Sequence, residues 1–346
     1  MSGYMVCGSA CCPTSRWVLS TVYSSGAYYT SIDVDGAGGL HVSYYDFASD
    51  NLGYAYKPSG GSWTNTIVDS VGDVGSYTSL DVDSAGGVHV SYRDNTNSSL
   101  KYAYKPSGGS WTSTTVATGD VGAYTSLAVD SAGGVHVSYY DAAFSSLEYA
   151  YQPSGGSWIT STVDSAGDVG RYTSLAVDSA GGVHVSYQSD TGYDLKYAYK
   201  APGGGWTRAI VDSSGSVGTY TSLAVDSARG VHVSYYDLTS GNLKVAYKPA
   251  GGSWTETIVD SLGDTGEYTS IAVDSAGGVH VSYHYSTNWD LKVAYRPSGG
   301  SWIVSTVDSS GITGEHTSIA VDSAGGVHIS YFDATNRNLD YATLPP

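Results

Sequence analysis

Cysteine is almost missing from this chain: Cys7, Cys11 and Cys12 crowd into the first dozen positions and the rest of the sequence has none. A disulfide framework in the body of the protein is therefore excluded. Positive charge is scarce as well, with 15 Lys and Arg against 32 Asp and Glu and a formal net charge of -17, so a nucleic-acid backbone would be repelled. Neither DNA nor RNA is an expected partner. No apolar run approaches the roughly 18 residues that a helical membrane span needs, and none is expected. Helical periodicity is absent too, and 45 glycines interrupt every window long enough for a stable helix.

What is present is repetition. The histidine of a recurring G-G-V-H-V-S-Y stretch falls at His41, His89, His136, His184, His232, His280 and His328, a spacing of about 48 residues. A tryptophan keeps the same cadence at Trp17, Trp63, Trp111, Trp158, Trp206, Trp254 and Trp302. Each unit reads as four short strands. In the second unit Tyr77 to Asp83 alternates and ends in the turn D-S-A-G-G. Val88 to Tyr92 is β-branched and aromatic, and Leu100 to Lys105 leads to the turn P-S-G-G-S. Trp111 to Val116 closes the unit.

Four antiparallel strands cannot bury both faces alone, whereas seven such sheets set radially bury each face against the next. The chain opens with a lone outer-type strand, Trp17 to Val22, and ends three strands into its seventh unit near Tyr341. Those fragments add up to one blade. The expectation is an all-β, seven-bladed β-propeller closed by pairing the N-terminal strand with the last three, which removes exposed sheet edges. An open solenoid would show atypical capping repeats, and none is visible. The pattern S-L-A-V-D-S-A-G-G-V-H-V-S-Y-Y-D, over residues 16 to 342, resembles seven-bladed propellers of bacterial repeat type. Its D-S-A-G-G hairpin is loosely similar to the Asp-box of sialidase-type propellers, but His stands where that box carries an aromatic. This resemblance implies a fold and almost no chemistry.

Residues 16–346 are read as one domain and 1–15 as a flexible leader. The leader lacks a basic start and an apolar core, so no export signal is expected in it. Its C-x-x-x-C-C run is an incomplete zinc set. Abundant Tyr, Ser, Thr and Gly with little Lys suit a secreted or surface protein, and a monomer is expected.

The seven histidines invite a metal-site reading. In V-H-V-S-Y, however, His shares a strand face with Ser inside the blade stack, and buried polar groups are normally hydrogen-bonded. A structural role for His41, His89, His136, His184, His232, His280 and His328 is expected, through hydroxyls or a carboxylate of the same unit. This arrangement resembles the His, Ser and Asp network of tryptophan-aspartate propellers. Asp35, Asp83, Asp130, Asp178, Asp226, Asp274 and Asp322, placed before S-A-G-G, fit an Asx-type turn, without calcium-loop spacing. Asp33 and Asp81 differ, because they replace the alanine of the other units on the innermost strand. They are the metal-site candidates, for a divalent cation in the central channel, and no other cofactor is expected.

Unit-to-unit differences gather where second and third strands connect and between units, on one face of the ring. Tyr45, Tyr140, Tyr236, Phe332 and His284 belong to those segments, as does Trp289, the tryptophan outside the periodic set. The first-strand aromatics Tyr29, Tyr77, Tyr124, Tyr172, Tyr220 and Tyr268, with His316 in seventh place, point to the same face. With the acidic loops Asp69 to Asp73 and Asp260 to Asp264, they offer aromatic faces beside carboxylates, suited to sugar rings. The ligand-binding candidates are therefore Trp289, Tyr45, Tyr140, Tyr236, Phe332, Tyr268, His316 and His284.

Near-identical units fit a non-enzymatic, multivalent recognition module for a glycan or another polyvalent surface ligand. An enzyme needs one unit to break symmetry in a coordinated way. Glu267, Glu315, His284 and His316, with the Asp33 and Asp81 pair, supply the few candidates for a metal-dependent lactonase or lyase at the channel, His316 or His284 serving as base. No catalytic residue is assigned. A passive scaffold for protein partners is the third alternative.

Overall fold

The computed structural model describes residues 17–346, so the three cysteines and the expected leader lie outside the described residues. Seven four-stranded antiparallel sheets follow one another around an axis. We letter the strands of each blade A to D from the axis outward. Blade 2 is typical: A is Val74–Val82, B is Val88–Asp94, C is Ser99–Lys105 and D is Thr112–Ala117. Blade 7 takes A, B and C from Thr313–Val321, Val327–Asp333 and Asn338–Leu344, and its D strand from Val18–Tyr23 at the other end of the chain. That closing pair is antiparallel, with Leu19 opposite Ala342 and Ser20 opposite Tyr341. The expected ring closure is present.

Strand B is buried over nearly its whole length in every blade, because both its faces are covered by neighbouring blades. The core is accordingly seven apolar clusters, each lying between consecutive blades. The A strands begin about three residues earlier than the alternation suggested, at Val74 and not Tyr77. Gly75 is required there: a β-carbon on it would stand 2.8 Å from the Leu52 α-carbon of blade 1.

Polar stitches join the blades at the T-S pair after the first-strand aromatic. Thr78 Oγ1 donates to Ser43 Oγ of the preceding blade at 2.9 Å, and Ser79 Oγ accepts the Leu127 N–H of the following blade at 3.0 Å. The Thr bond recurs at every blade junction, ending with Thr30 and Ser330 at the closure.

The connections sort onto two faces. The A–B and C–D turns make a nearly uniform turn face. The B–C turns and D–A connections make a varied loop face.

Candidate functional site

On the loop face the axis opens into a funnel of about 180 Å³ lined by the first-strand aromatics and the threonines that follow them. Tyr29, Tyr77, Tyr124, Tyr172, Tyr220, Tyr268 and His316 form a closed ring, with neighbouring centroids 4.5 Å to 4.9 Å apart. All seven sit in the left-handed region, with φ between 51° and 55°. A bulky residue held there costs about 1–3 kcal/mol, a strain that clusters at ligand sites. The ladder also slips on either side of this position. Burial pushes the Tyr124, Tyr220 and Tyr268 phenols up, so they are neutral hydroxyls at physiological pH. It pushes His316 down to about 3, leaving a neutral imidazole in the ring.

Four of the sequence candidates come together in one sector. From the axis to the rim run His316, Tyr268, His284 and Trp289, with successive centroids 4.6 Å, 6.4 Å and 5.9 Å apart. His284 is buried and its Nδ1–H donates to the Thr313 carbonyl at 2.8 Å, so it is an internal member of this row. Glu267 accepts the Ser286 hydroxyl at 2.6 Å. Burial raises Glu315, and the neighbouring Glu267 carboxylate reinforces that rise.

The remaining candidates are less available than their segments suggested. Phe332 packs edge-on to Tyr28 at 4.6 Å and is buried, as are Tyr140 and Tyr236. The hydroxyls of Tyr140 and Tyr236 donate to Asp168 and Asp264, and that of Tyr45 to Asp50 and Asp73. Strand B continues two residues further into these segments than the sequence suggested, which carries the aromatics inside the blade stack. Asp69 and Asp260, expected in acidic loops, are buried inter-blade ties. Asp69 takes the Lys101 ammonium and the Tyr92 hydroxyl, and Asp260 takes Lys292 and Tyr283. Burial works against the charge of Asp69, but these donors outweigh it and hold its carboxyl below the ordinary value.

Two exposed aromatics on the loop face escaped the sequence reading. Phe144 is 79% exposed and Tyr193 57%, against 48% for Trp289. Tyr193 and Trp289 take the same left-handed place at the end of their B–C turns, with φ of 57° and 64°, where blade 5 has Gly241. Aligning that turn across units, with glycine marking the strained place, would have found Tyr193. Val71, Leu238 and Leu262 add exposed apolar side chains to the same face.

Asp33 and Asp81 do stand together on adjacent A strands. Asp33 accepts the N–H groups of Val34 and Val82, while Asp81 accepts those of Val82 and Val129. Burial and the neighbouring Asp81 charge push Asp33 well above the ordinary carboxylate value, and burial raises Asp81. Among the described residues no group of three or more His, Cys, Asp or Glu is arranged to hold a metal ion.

On the turn face the repeated histidines close a local relay. His89 Nε2 lies 3.0 Å from Asp83 and Nδ1 lies 2.7 Å from the Tyr102 hydroxyl. The carboxylate can only accept, so Nε2 carries the proton and Nδ1 accepts from the phenol. His41, His136, His184 and His328 repeat the relay with Tyr54, Tyr149, Tyr197 and Tyr341. His232 and His280 keep the Asp contact. Their units carry Val245 and Val293 in place of that tyrosine.

No protein-family model matches the chain, and no curated protein matches it. Among solved structures, a catalytically inactive virginiamycin B lyase from Staphylococcus aureus with quinupristin matches 95% of this chain and 100% of its own, at 13% identity and a TM-score of 0.66. A fucose-specific lectin from Aleuria aurantia matches 84% of this chain and 98% of its own, at 16% identity and a TM-score of 0.57. Hydrazine synthase from Kuenenia stuttgartiensis matches 94% and 97%, at 9% identity and a TM-score of 0.66. At such identities the likeness shows the propeller fold alone.

Proposed function

We propose that the protein is a non-enzymatic, multivalent recognition module that binds glycans through the loop face of its ring. One observation carries the reading: the rings of Phe144, Tyr193 and Trp289 project into solvent from the loop face. Exposed rings stack on the apolar faces of sugars, and a carboxylate next to one in the chain, such as Asp290 after Trp289, accepts sugar hydroxyls. Weak subsites on one rigid ring gain avidity for a polyvalent ligand of roughly 10²–10⁴-fold when geometry permits. The fold likeness to a fucose-specific lectin is consistent with this use.

A second reading places a lyase or lactonase at the axial mouth. It draws on the symmetry break in blades 6 and 7, where Glu267, Glu315 and His284 stand beside the funnel.

Glycan-array binding tests the proposal, with Trp289→Ala, Tyr193→Ala and Phe144→Ala expected to lower the signal while the protein stays folded. Absence of binding to every array member, together with turnover of a small lactone, would replace it with the second reading. Capture of a protein partner that no saccharide competes away would replace it with a scaffold role.

A further inference from the structure

The turn face carries a different asymmetry, independent of the loop-face reading. Where blade 4 meets blade 5, the cleft is lined by Asp178, His184, Tyr197 and Lys248 and encloses about 240 Å³. Between blades 5 and 6, the equivalent cleft, lined by Asp226, His232, Tyr247 and Arg296, encloses about 550 Å³. Val245 stands in blade 5 where blade 4 has Tyr197, so the phenol that approaches the histidine elsewhere is missing. His232 is 4% exposed, and its Nδ1 is buried without a hydrogen-bond partner. Its Nε2 is held by Asp226 at 3.0 Å, which fixes the proton there and leaves a bare lone pair on Nδ1. A buried acceptor without a donor is a standing loss that an incoming hydroxyl would recover.

The other features of the cleft define what would enter it. The Tyr247 ring stacks on His232 at 4.5 Å, and the Arg296 guanidinium lies over Trp302 at 5.0 Å. Trp302 itself packs in the apolar cluster that contains Val245. Among the described residues Arg296 forms no ion pair, and neither does Lys248, which holds the same place in the cleft between blades 4 and 5. The cleft thus has His232, the Tyr247 ring and the Arg296 guanidinium in its wall, with the bare Nδ1 of His232 buried behind that wall, so a ligand hydroxyl reaches it only by displacing the side chains that cover it. Blade 6 repeats the exchange at Val293, and the cleft beside it encloses about 670 Å³.

We propose that the cleft between blades 5 and 6 binds a small phenolic acid, its hydroxyl donating to His232 Nδ1 in place of the absent tyrosine and its carboxylate pairing with Arg296. The ligand restores in trans the contact that five other blades make in cis. Binding is monovalent and reversible, with no covalent step.

Titration calorimetry of the full chain with para-hydroxybenzoate tests the assignment, with benzoate as the analogue that lacks the hydroxyl. Saturable binding is expected, weakened by about tenfold or more for benzoate, the effect of one lost hydrogen bond to a buried group. Val245→Tyr, which rebuilds the tyrosine of the other blades, is expected to abolish binding. Arg296→Gln is expected to weaken it while circular dichroism stays unchanged. Equal binding of the two acids, retention in Val245→Tyr, or no saturable binding at millimolar ligand would each overturn the proposal. Trp289→Ala leaves this titration unchanged and Val245→Tyr leaves glycan-array binding unchanged, so failure of one reading is distinguishable from failure of the other.

Discussion

Thr30 Oγ1 and Ser330 Oγ, separated by 300 positions in the chain, meet at 2.8 Å inside the protein. The bond is one of seven equivalent stitches and also part of the seam that closes the ring. Thr30→Val keeps the shape and removes the hydroxyl, leaving both Ser330 Oγ and the His316 carbonyl without that partner. We expect a loss of about 1–3 kcal/mol, read from the urea midpoint at unchanged m-value. Thr173→Val, which breaks only the stitch to Ser138 in mid-ring, should lose less.

The carboxyl pair Asp33 and Asp81 gives stability a pH dependence of unusual sign. Both folded pKa values are raised, by burial first and, for Asp33, by the neighbouring Asp81 charge. Stability from a raised carboxyl is fully present below the unfolded value, about 3.9, and is lost as pH climbs through the folded value. The double variant Asp33→Ala/Asp81→Ala carries the alanine of the other blades. The free energy of unfolding of the wild type minus that of the variant should therefore fall as pH rises above the unfolded value, about 3.9. A difference that is flat or rises over that range would show the pair to be ionised in the folded state.

Asp69, Asp164 and Asp212 have the opposite sign. Burial works against each, yet Lys101, Lys196 and Lys244 hold them below the ordinary value, Asp212 at about 2. Their contribution is complete above the unfolded value and disappears as the solution is acidified through the folded one. Lys244→Met should therefore shift acid unfolding, followed by tyrosine fluorescence, to higher pH.

The fold was legible in the sequence because each level repeats: seven closely similar turns, seven tryptophans and a split seventh blade leave one consistent closure. The site was legible only in part. Trp289 and His316 were selected for breaking the pattern, Tyr268 as a repeating first-strand aromatic and His284 for standing in a varied segment, and the four stand in one row from axis to rim. Phe332, Tyr140 and Tyr236 were selected for standing in varied segments, but the pairing of strands B and C runs through those segments and buries them. Sequence variation marks where the chain tolerates change, whereas exposure depends on where the last ladder bond falls. The free nitrogen of His232 was hidden for another reason. Its cause lies 13 residues away at Val245, the spacing that separates His89 from Tyr102 in the intact relay. An exchange of tyrosine for valine inside a strand reads as ordinary core variation until the hydroxyl has a known partner.

Trp289 separates stability from function most directly. It occupies a left-handed position, φ of 64°, at which blade 5 has Gly241 with φ of 66°. A side chain in that region costs about 1–2 kcal/mol, while glycine gives back roughly 0.5–1 kcal/mol through the greater freedom of its unfolded chain. Half of the tryptophan surface is in water, so its burial offsets little of the strain. Trp289→Gly should therefore match or exceed the wild type in thermal midpoint while losing glycan-array signal. A marked drop in the midpoint would mean that the ring is held by packing on His284, and the residue would then be structural. A retained midpoint with retained binding would remove Trp289 from the recognition surface. Lost binding in a protein at least as stable as the parent is the result that a strained residue kept for its ligand must give.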